Sequence, residues 1–268
     1  MTLRTRNRSF LIFFLISFAA LILMAALFAY KTMYSQIYIP QNAVRETRIF
    51  QRFPQSYFAS VAAIFFLGLA VPIIILWTRY QFEKTQADET LFFMCFLFGC
   101  MMELVRICFL FMPLESSYLA MENLTRMLSI GRTIVFLSLF FSALFSAPIY
   151  RTRLEQNVLL MFLTSVCMGI IIPLKSIVQL STFPLMAGTW LFSVAKTTLL
   201  ILTLAVMLKN IFIDEFSRNI LEPLGYLLMM TGYILLTRCD TWPCFISGAV
   251  LFPSGTAIYL MRLHSRVS

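Results

Sequence analysis

Stretches of about 20 apolar residues, almost free of charge, recur along the whole chain and match the length an α-helix needs to cross a bilayer. Strands of a membrane barrel would instead alternate apolar and polar residues at every second position. The pattern therefore predicts an all-α integral membrane protein, a polytopic helical bundle that forms a single transmembrane domain over residues 1–268. The eight predicted spans lie near 10–30, 57–78, 91–112, 127–149, 158–178, 186–208, 219–237 and 243–261.

Composition supports the same class. The chain is 60% hydrophobic and 12% charged, whereas a soluble domain is about half apolar and about a quarter charged. The net charge of +9 is high enough for a nucleic-acid-binding protein, but the Lys and Arg residues form short flanks between apolar runs and no basic face. We therefore expect the lipid bilayer as a partner, no nucleic acid, and a multi-pass location in the cell (inner) membrane.

The distribution of basic residues predicts the orientation. With the N-terminus in the cytoplasm, the inside segments carry eleven Lys and Arg residues and the outside loops carry six. Because cytoplasmic loops are enriched in Lys and Arg, both termini are predicted to be cytoplasmic. The outside loop 31–56 is unusual, since Arg45, Arg48 and Arg52 follow a near-helical spacing there. An interfacial amphipathic helix would explain that spacing.

Ionisable residues inside the predicted spans are the main functional lead, because a charge in hydrocarbon costs about 2.5–3.5 kcal/mol on insertion scales. Glu103 and Arg106 lie three residues apart in the third span, on one helical face, where they can pair. Arg132 reaches a similar depth in the fourth span. Lys175 lies near the outer end of the fifth span and Lys196 near the middle of the sixth.

These charges allow two interpretations. An outward-facing pocket with surplus positive charge would attract an anionic solute or a lipid headgroup. The residues of such a ligand-binding pocket would be Glu103, Arg106, Arg132 and Lys196. Alternatively, Glu103 and Arg106 form a structural ion pair, while Arg132 and Lys175 extend to the outer headgroups. Lys196 is then either neutral or paired with Glu103.

Small residues predict a close contact between the last two spans. Gly225 and Gly232 are seven residues apart in span seven, and Gly248 and Gly255 are seven apart in span eight. Each pair therefore lies on one face of its helix. Because small residues let membrane helices approach closely, we expect spans seven and eight to form a tight antiparallel hairpin.

Two cysteines flank the short external loop between spans seven and eight. Cys239 and Cys244 would form a disulfide in an oxidising compartment, and the sequence leaves the bridged and the free state open. Their C-x4-C spacing differs from the C-x2-C spacing of thioredoxin-type redox motifs. The pair is therefore a structural candidate and not a redox centre.

Several catalytic designs lack their residues. His264 is the only histidine, which excludes an HExxH zinc site and a Ser/His pair. The three aspartates, Asp88, Asp214 and Asp240, lie in loops or at span edges, so no pair of intramembrane aspartates is available for acid–base chemistry. We expect no catalytic residue, no metal and no cofactor.

Three functional hypotheses follow. The first is a noncatalytic solute permease or sensor-like bundle whose outward-facing cationic pocket binds an anionic ligand. The second is a structural or assembly subunit whose charges pair with a membrane-protein partner. The third, which we place lowest, is a lipid-modifying enzyme that uses Glu103.

Overall fold

The computed structural model describes most of the chain as helices. The described residues are 3–34, 53–83, 89–109, 118–145, 154–171, 174–180, 183–188, 190–213 and 221–267. Its helices are α1 (Leu3–Tyr34), α2 (Tyr57–Phe82), α3 (Glu89–Phe109), α4 (Tyr118–Phe145), α5 (Leu154–Ile171), α6 (Trp190–Ile213), α7 (Leu221–Thr237) and α8 (Trp242–Val267). Two strands, β1 (Leu174–Leu180) and β2 (Phe183–Gly188), pair between α5 and α6.

The length and surface of these helices agree with a membrane protein. Among the described residues, α1, α2, α3, α4 and α8 are long and apolar enough to cross a bilayer, and α5 and α7 are shorter apolar helices. Large apolar side chains such as Leu23, Leu159 and Val250 are exposed on the outside of the bundle. Exposed apolar side chains of this kind mark a surface that contacts lipid or another protein. The prediction of a helical bundle of the membrane type is confirmed at this level.

Contacts at the helix ends define two ends of the bundle. At one, the Ser56 backbone N–H donates to the Asp240 carbonyl oxygen at 2.9 Å, and the Ser60 hydroxyl donates to the Cys239 carbonyl oxygen at 2.5 Å. The start of α2 therefore holds the α7–α8 loop, and we call this end the loop end. At the opposite end of the bundle, which we call the terminal end, the Arg6 guanidinium near the start of α1 donates to the carbonyl oxygen of Phe82, the last residue of α2.

Helix α2 lies between α1, α3 and α8, while α4 packs on α3, α5 and α6. A buried aromatic cluster joins α3 to the last two helices. The ring of Phe93 lies 5.7 Å from that of Tyr259, and the ring of Phe96 lies 6.3 Å from Phe252 and 6.4 Å from Tyr233. Such contacts fix the rotation of α7 and α8 relative to α3.

Helices α7 and α8 form the tight hairpin that the glycine spacing predicts. A Cβ atom added to Gly232 would lie 2.7 Å from the Phe252 Cα atom, and one added to Gly255 would lie 2.8 Å from the Gly225 carbonyl oxygen. No side chain fits between the two backbones at these points. The prediction of close packing is therefore confirmed.

The chain departs from the predicted spans after α5. The fifth span was predicted to run to residue 178, but α5 ends at Ile171, and the strands Leu174–Leu180 and Phe183–Gly188 pair antiparallel with Leu180 opposite Phe183. Pro173 explains the end of the helix, because proline lacks the N–H donor and restricts the preceding residue to extended backbone. Lys175 consequently lies in β1, so its placement inside a helical span is wrong.

Helix α4 begins at Tyr118, nine residues before the predicted start of its span at 127. The added turns bring Arg126 into the helix, where it forms an ion pair with Glu122 at 2.7 Å. The Arg126 guanidinium also donates to the carbonyl oxygens of Gly169 and Ile170, at 3.3 and 2.5 Å. Arg126 thereby donates hydrogen bonds to backbone carbonyl oxygens in the last turn of α5. The interfacial helix predicted around Arg45, Arg48 and Arg52 lies outside the described residues.

Candidate functional site

Three helices contribute to a buried polar cluster near the loop end, formed by Glu103, Arg106, Arg132 and Tyr233. The Arg132 Nε and Nη2 atoms donate to the two carboxylate oxygens of Glu103, at 2.7 and 3.2 Å. The Tyr233 hydroxyl donates to Glu103 Oε1 at 3.2 Å. Arg106 Nη1 lies 3.8 Å from Glu103 Oε2, so the predicted Glu103–Arg106 ion pair is present. The carboxylate is thus shared between two guanidinium groups.

A close crossing of α3 and α4 brings the two sides of the cluster together. A Cβ atom added to Gly99 would lie 2.7 Å from the Gly131 carbonyl oxygen, so the two backbones touch there. Arg132 follows Gly131 directly, and Glu103 lies one helical turn beyond Gly99. The two glycines therefore set the distance over which the Arg132 side chain reaches Glu103.

The backbone of α3 changes its hydrogen-bonding pattern at the cluster. Residues Met102–Val105 form a 3-10 segment between the α-helical parts Glu89–Met101 and Arg106–Phe109. Such segments inside an α-helix often mark a hinge or a strained stretch. Glu103 lies inside this segment, so the carboxylate is held by the part of α3 whose backbone is least regular.

Arg106 links the cluster to the end of α7. Its Nη1 atom donates to the Thr237 carbonyl oxygen at 2.6 Å, and Thr237 is the last residue of that helix. The carbonyl end of a helix carries partial negative charge, which favours a guanidinium there. The Arg106 and Glu103 side chains are each only 2% exposed, whereas the Arg132 side chain is 22% exposed. Access to the carboxylate from outside is therefore by way of Arg132.

The structure brings three of the four predicted ligand-binding residues together. Lys196 lies half-buried on α6, and the contacts of the Glu103 carboxylate are with Arg106, Arg132 and Tyr233. Pairing of Lys196 with Glu103, one of the two alternatives for this residue, stays a prediction. The spacing of charged residues did not point to Tyr233, although a tyrosine hydroxyl inside an apolar span needs a partner and could have been matched with a buried carboxylate.

Cys239 and Cys244 are buried free thiols in this structure. The Cys239 Sγ atom lies 3.5 Å from the carbonyl oxygens of both Ala59 and Thr241, either of which can accept its proton, and Cys244 donates to the carbonyl oxygen of Leu235 at 3.3 Å. The neighbouring Cys244 thiol, together with burial, raises the pKa of Cys239. The two thiols are close neighbours, and a disulfide between them stays a prediction.

The cluster suits anion recognition better than catalysis. A general acid or base must reach the reacting atoms, and Glu103 is enclosed by its three partners. Guanidinium groups hold carboxylates and phosphates through paired N–H donors. Within the described part of the chain, no group of three His, Cys, Asp or Glu side chains is arranged to hold a metal. No protein-family model, curated protein or solved structure matches this chain.

Proposed function

We propose that the protein is a noncatalytic membrane protein, a solute permease or sensor-like bundle, that binds an anionic group at Arg132. The observation that carries this proposal is the arrangement around Glu103. Two guanidinium groups share one buried carboxylate, and the Arg132 side chain alone of these three is partly exposed. Ionisable groups buried in this way usually mark a ligand or ion pathway in membrane proteins.

The same proposal includes eight membrane crossings, both termini in the cytoplasm, and a location in the cell membrane. The described helices support alternating directions, since the start of α1 meets the end of α2 at the terminal end while the start of α2 meets the α7–α8 loop. Counting Lys175 with the outer segments raises the outside Lys and Arg from six to seven, against eleven inside. The positive-inside bias therefore persists.

A reporter experiment tests this orientation. We expect green fluorescent protein fused after residue 268 to fluoresce, because that protein folds in the cytoplasm, and alkaline phosphatase fused there to be inactive. Alkaline phosphatase inserted between residues 40 and 45, in the predicted outside loop, should be active. The opposite pattern at both positions would reverse the orientation and place Arg132 near the cytoplasmic side.

The assembly-subunit hypothesis has weaker support. It requires the intramembrane charges to pair with a second protein, but Glu103 takes its partners from α3, α4 and α7 of its own chain. The lipid-modifying enzyme has weaker support as well, because the carboxylate is enclosed. Anion binding without turnover is the function that this geometry supports best.

Thermal unfolding of the detergent-solubilised protein tests the binding proposal. We expect at least one anionic solute or lipid to stabilise the wild type, by about 2.7 kcal/mol at 100 times its dissociation constant. Arg132→Ala should abolish the stabilisation. Arg126→Ala is the matched control, because Arg126 is another arginine of α4 with a 26% exposed side chain in an ion pair, outside the cluster. Equal stabilisation of wild type and Arg132→Ala would contradict the proposal.

A further inference from the structure

We infer that the anion is a carboxylate or phosphate group that replaces Glu103 on the Arg132 guanidinium, and that Glu103 then moves to Arg106. This inference rests on the proposed function and specifies the ligand class and the response of the site. The basis of the inference is the carboxylate of Glu103, which Arg132 already binds. In the ligand-free protein, Glu103 therefore occupies the position that the anion would take.

The geometry of the Glu103–Arg132 contact defines the ligand class. Arg132 uses Nε and Nη2, and each donates to a different oxygen of the same carboxylate, at 2.7 and 3.2 Å. This edge of a guanidinium fits two oxygens on one carbon or phosphorus atom. A halide ion offers one acceptor centre that the two N–H donors must share, so it does not match the two separate acceptor positions. The site therefore favours carboxylates and phosphates over chloride.

The positions of the two arginines provide a place for the displaced carboxylate. Arg106 Nη1 lies 3.8 Å from Glu103 Oε2, about 1 Å longer than a charge-assisted hydrogen bond. A small rotation of the Glu103 side chain would close that gap. Arg132 would then hold the incoming anion while Arg106 holds Glu103. Each guanidinium keeps a paired anion throughout, which avoids the large cost of an uncompensated buried charge.

The surroundings of Glu103 would transmit this exchange to other helices. Glu103 lies in the 3-10 segment of α3, whose hydrogen bonds can rearrange over a single turn. Tyr233 donates to the carboxylate oxygen that Arg132 also holds, and Arg106 donates to the end of α7. Movement of Glu103 toward Arg106 thus changes two contacts of α7. The close contact of Gly99 with Gly131, one helical turn from Glu103, keeps α3 and α4 together beside the site.

Titration calorimetry in phosphatidylcholine nanodiscs tests the inference. The ligands are inorganic phosphate and succinate, and the proteins are the wild type, Glu103→Gln and Arg132→Ala. Because glutamine keeps the shape of Glu103 and removes the competing charge, we expect Glu103→Gln to bind about tenfold more tightly or better, within the usual range of coupling between two ligands. Arg132→Ala should not bind. Unchanged or weaker binding by Glu103→Gln, with binding still lost in Arg132→Ala, would overturn the exchange and leave the proposed function intact. Absence of binding in all three proteins would contradict both.

A second measurement covers the case in which Glu103→Gln does not fold. Phenylglyoxal modifies accessible arginines, and we expect phosphate and succinate to slow the modification of Arg132 in the wild type while chloride at equal ionic strength does not. Equal protection by chloride would overturn the inferred ligand class. Nanodiscs that contain phosphatidylglycerol separate the sources of the phosphate group. Protection by this lipid without added solute supports a headgroup ligand, and protection by solute alone supports a dissolved anion.

Discussion

Replacing Gly232 with leucine is expected to abolish folding of the protein. A Cβ atom at this position would lie 2.7 Å from the Phe252 Cα atom and 2.9 Å from the Leu251 carbonyl carbon, and these are backbone atoms that cannot move aside by a rotamer change. Overpacking against side chains costs about 1–3 kcal/mol, and a contact with backbone should cost more. Since total stability is about 5–15 kcal/mol, we expect little monodisperse protein after size-exclusion chromatography.

Thr231→Leu is the matched control for this substitution. Thr231 precedes Gly232 in α7 but is exposed on the outside of the bundle, where an extra apolar side chain meets lipid. We expect wild-type yield and a melting temperature within a few degrees of the wild type. Normal yield and stability of Gly232→Leu would show that α7 and α8 do not pack through their glycines.

Replacing Glu103 with alanine should destabilise the fold by about 3–5 kcal/mol, the range measured when one partner of a buried ion pair is removed. The substitution takes away the carboxylate that Arg106 and Arg132 share and the acceptor of the Tyr233 hydroxyl. Unfolding in a graded series of sodium dodecyl sulfate in mixed micelles measures the loss.

Glu122→Ala separates burial from charge pairing. Glu122 forms its ion pair with Arg126 at the same 2.7 Å as Glu103 with Arg132, but its side chain is 28% exposed. Partly exposed pairs contribute about 0–1 kcal/mol, so Glu122→Ala should change stability far less than Glu103→Ala. A similar small change for both variants would mean that the cluster around Glu103 is hydrated and adds little to the fold.

The features that the sequence predicted correctly depend on spacing within one helix. Gly225 and Gly232 lie seven apart, and helical geometry alone places them on one face. Glu103 and Arg106 lie three apart, so their ion pair follows from the same rule. The similar depth of Arg132 followed from counting residues along its span. These inferences need no knowledge of how the helices are rotated against each other.

The features that were missed depend on rotation and on competition between local structures. Tyr233 reaches Glu103 from 130 residues further along the chain, and no spacing rule connects the two. Whether Lys196 faced the cluster depended on the rotation of α6. The hairpin of β1 and β2 was missed because the apolar run 158–178 is long enough to cross a membrane as a helix. The prediction relied on that length and did not end the helix before Pro173, which disrupts helices.

The contacts between α7 and the polar cluster impose an order on biosynthesis. Glu103 and Arg106 leave the ribosome well before Tyr233 and Thr237, from which they are separated by about 130 residues. Until the α7–α8 hairpin is inserted, the nascent chain holds the two early charges in the bilayer without the hydroxyl and carbonyl that later contact them. Docking of α7 is therefore the step that completes the polar cluster around Glu103 and Arg106.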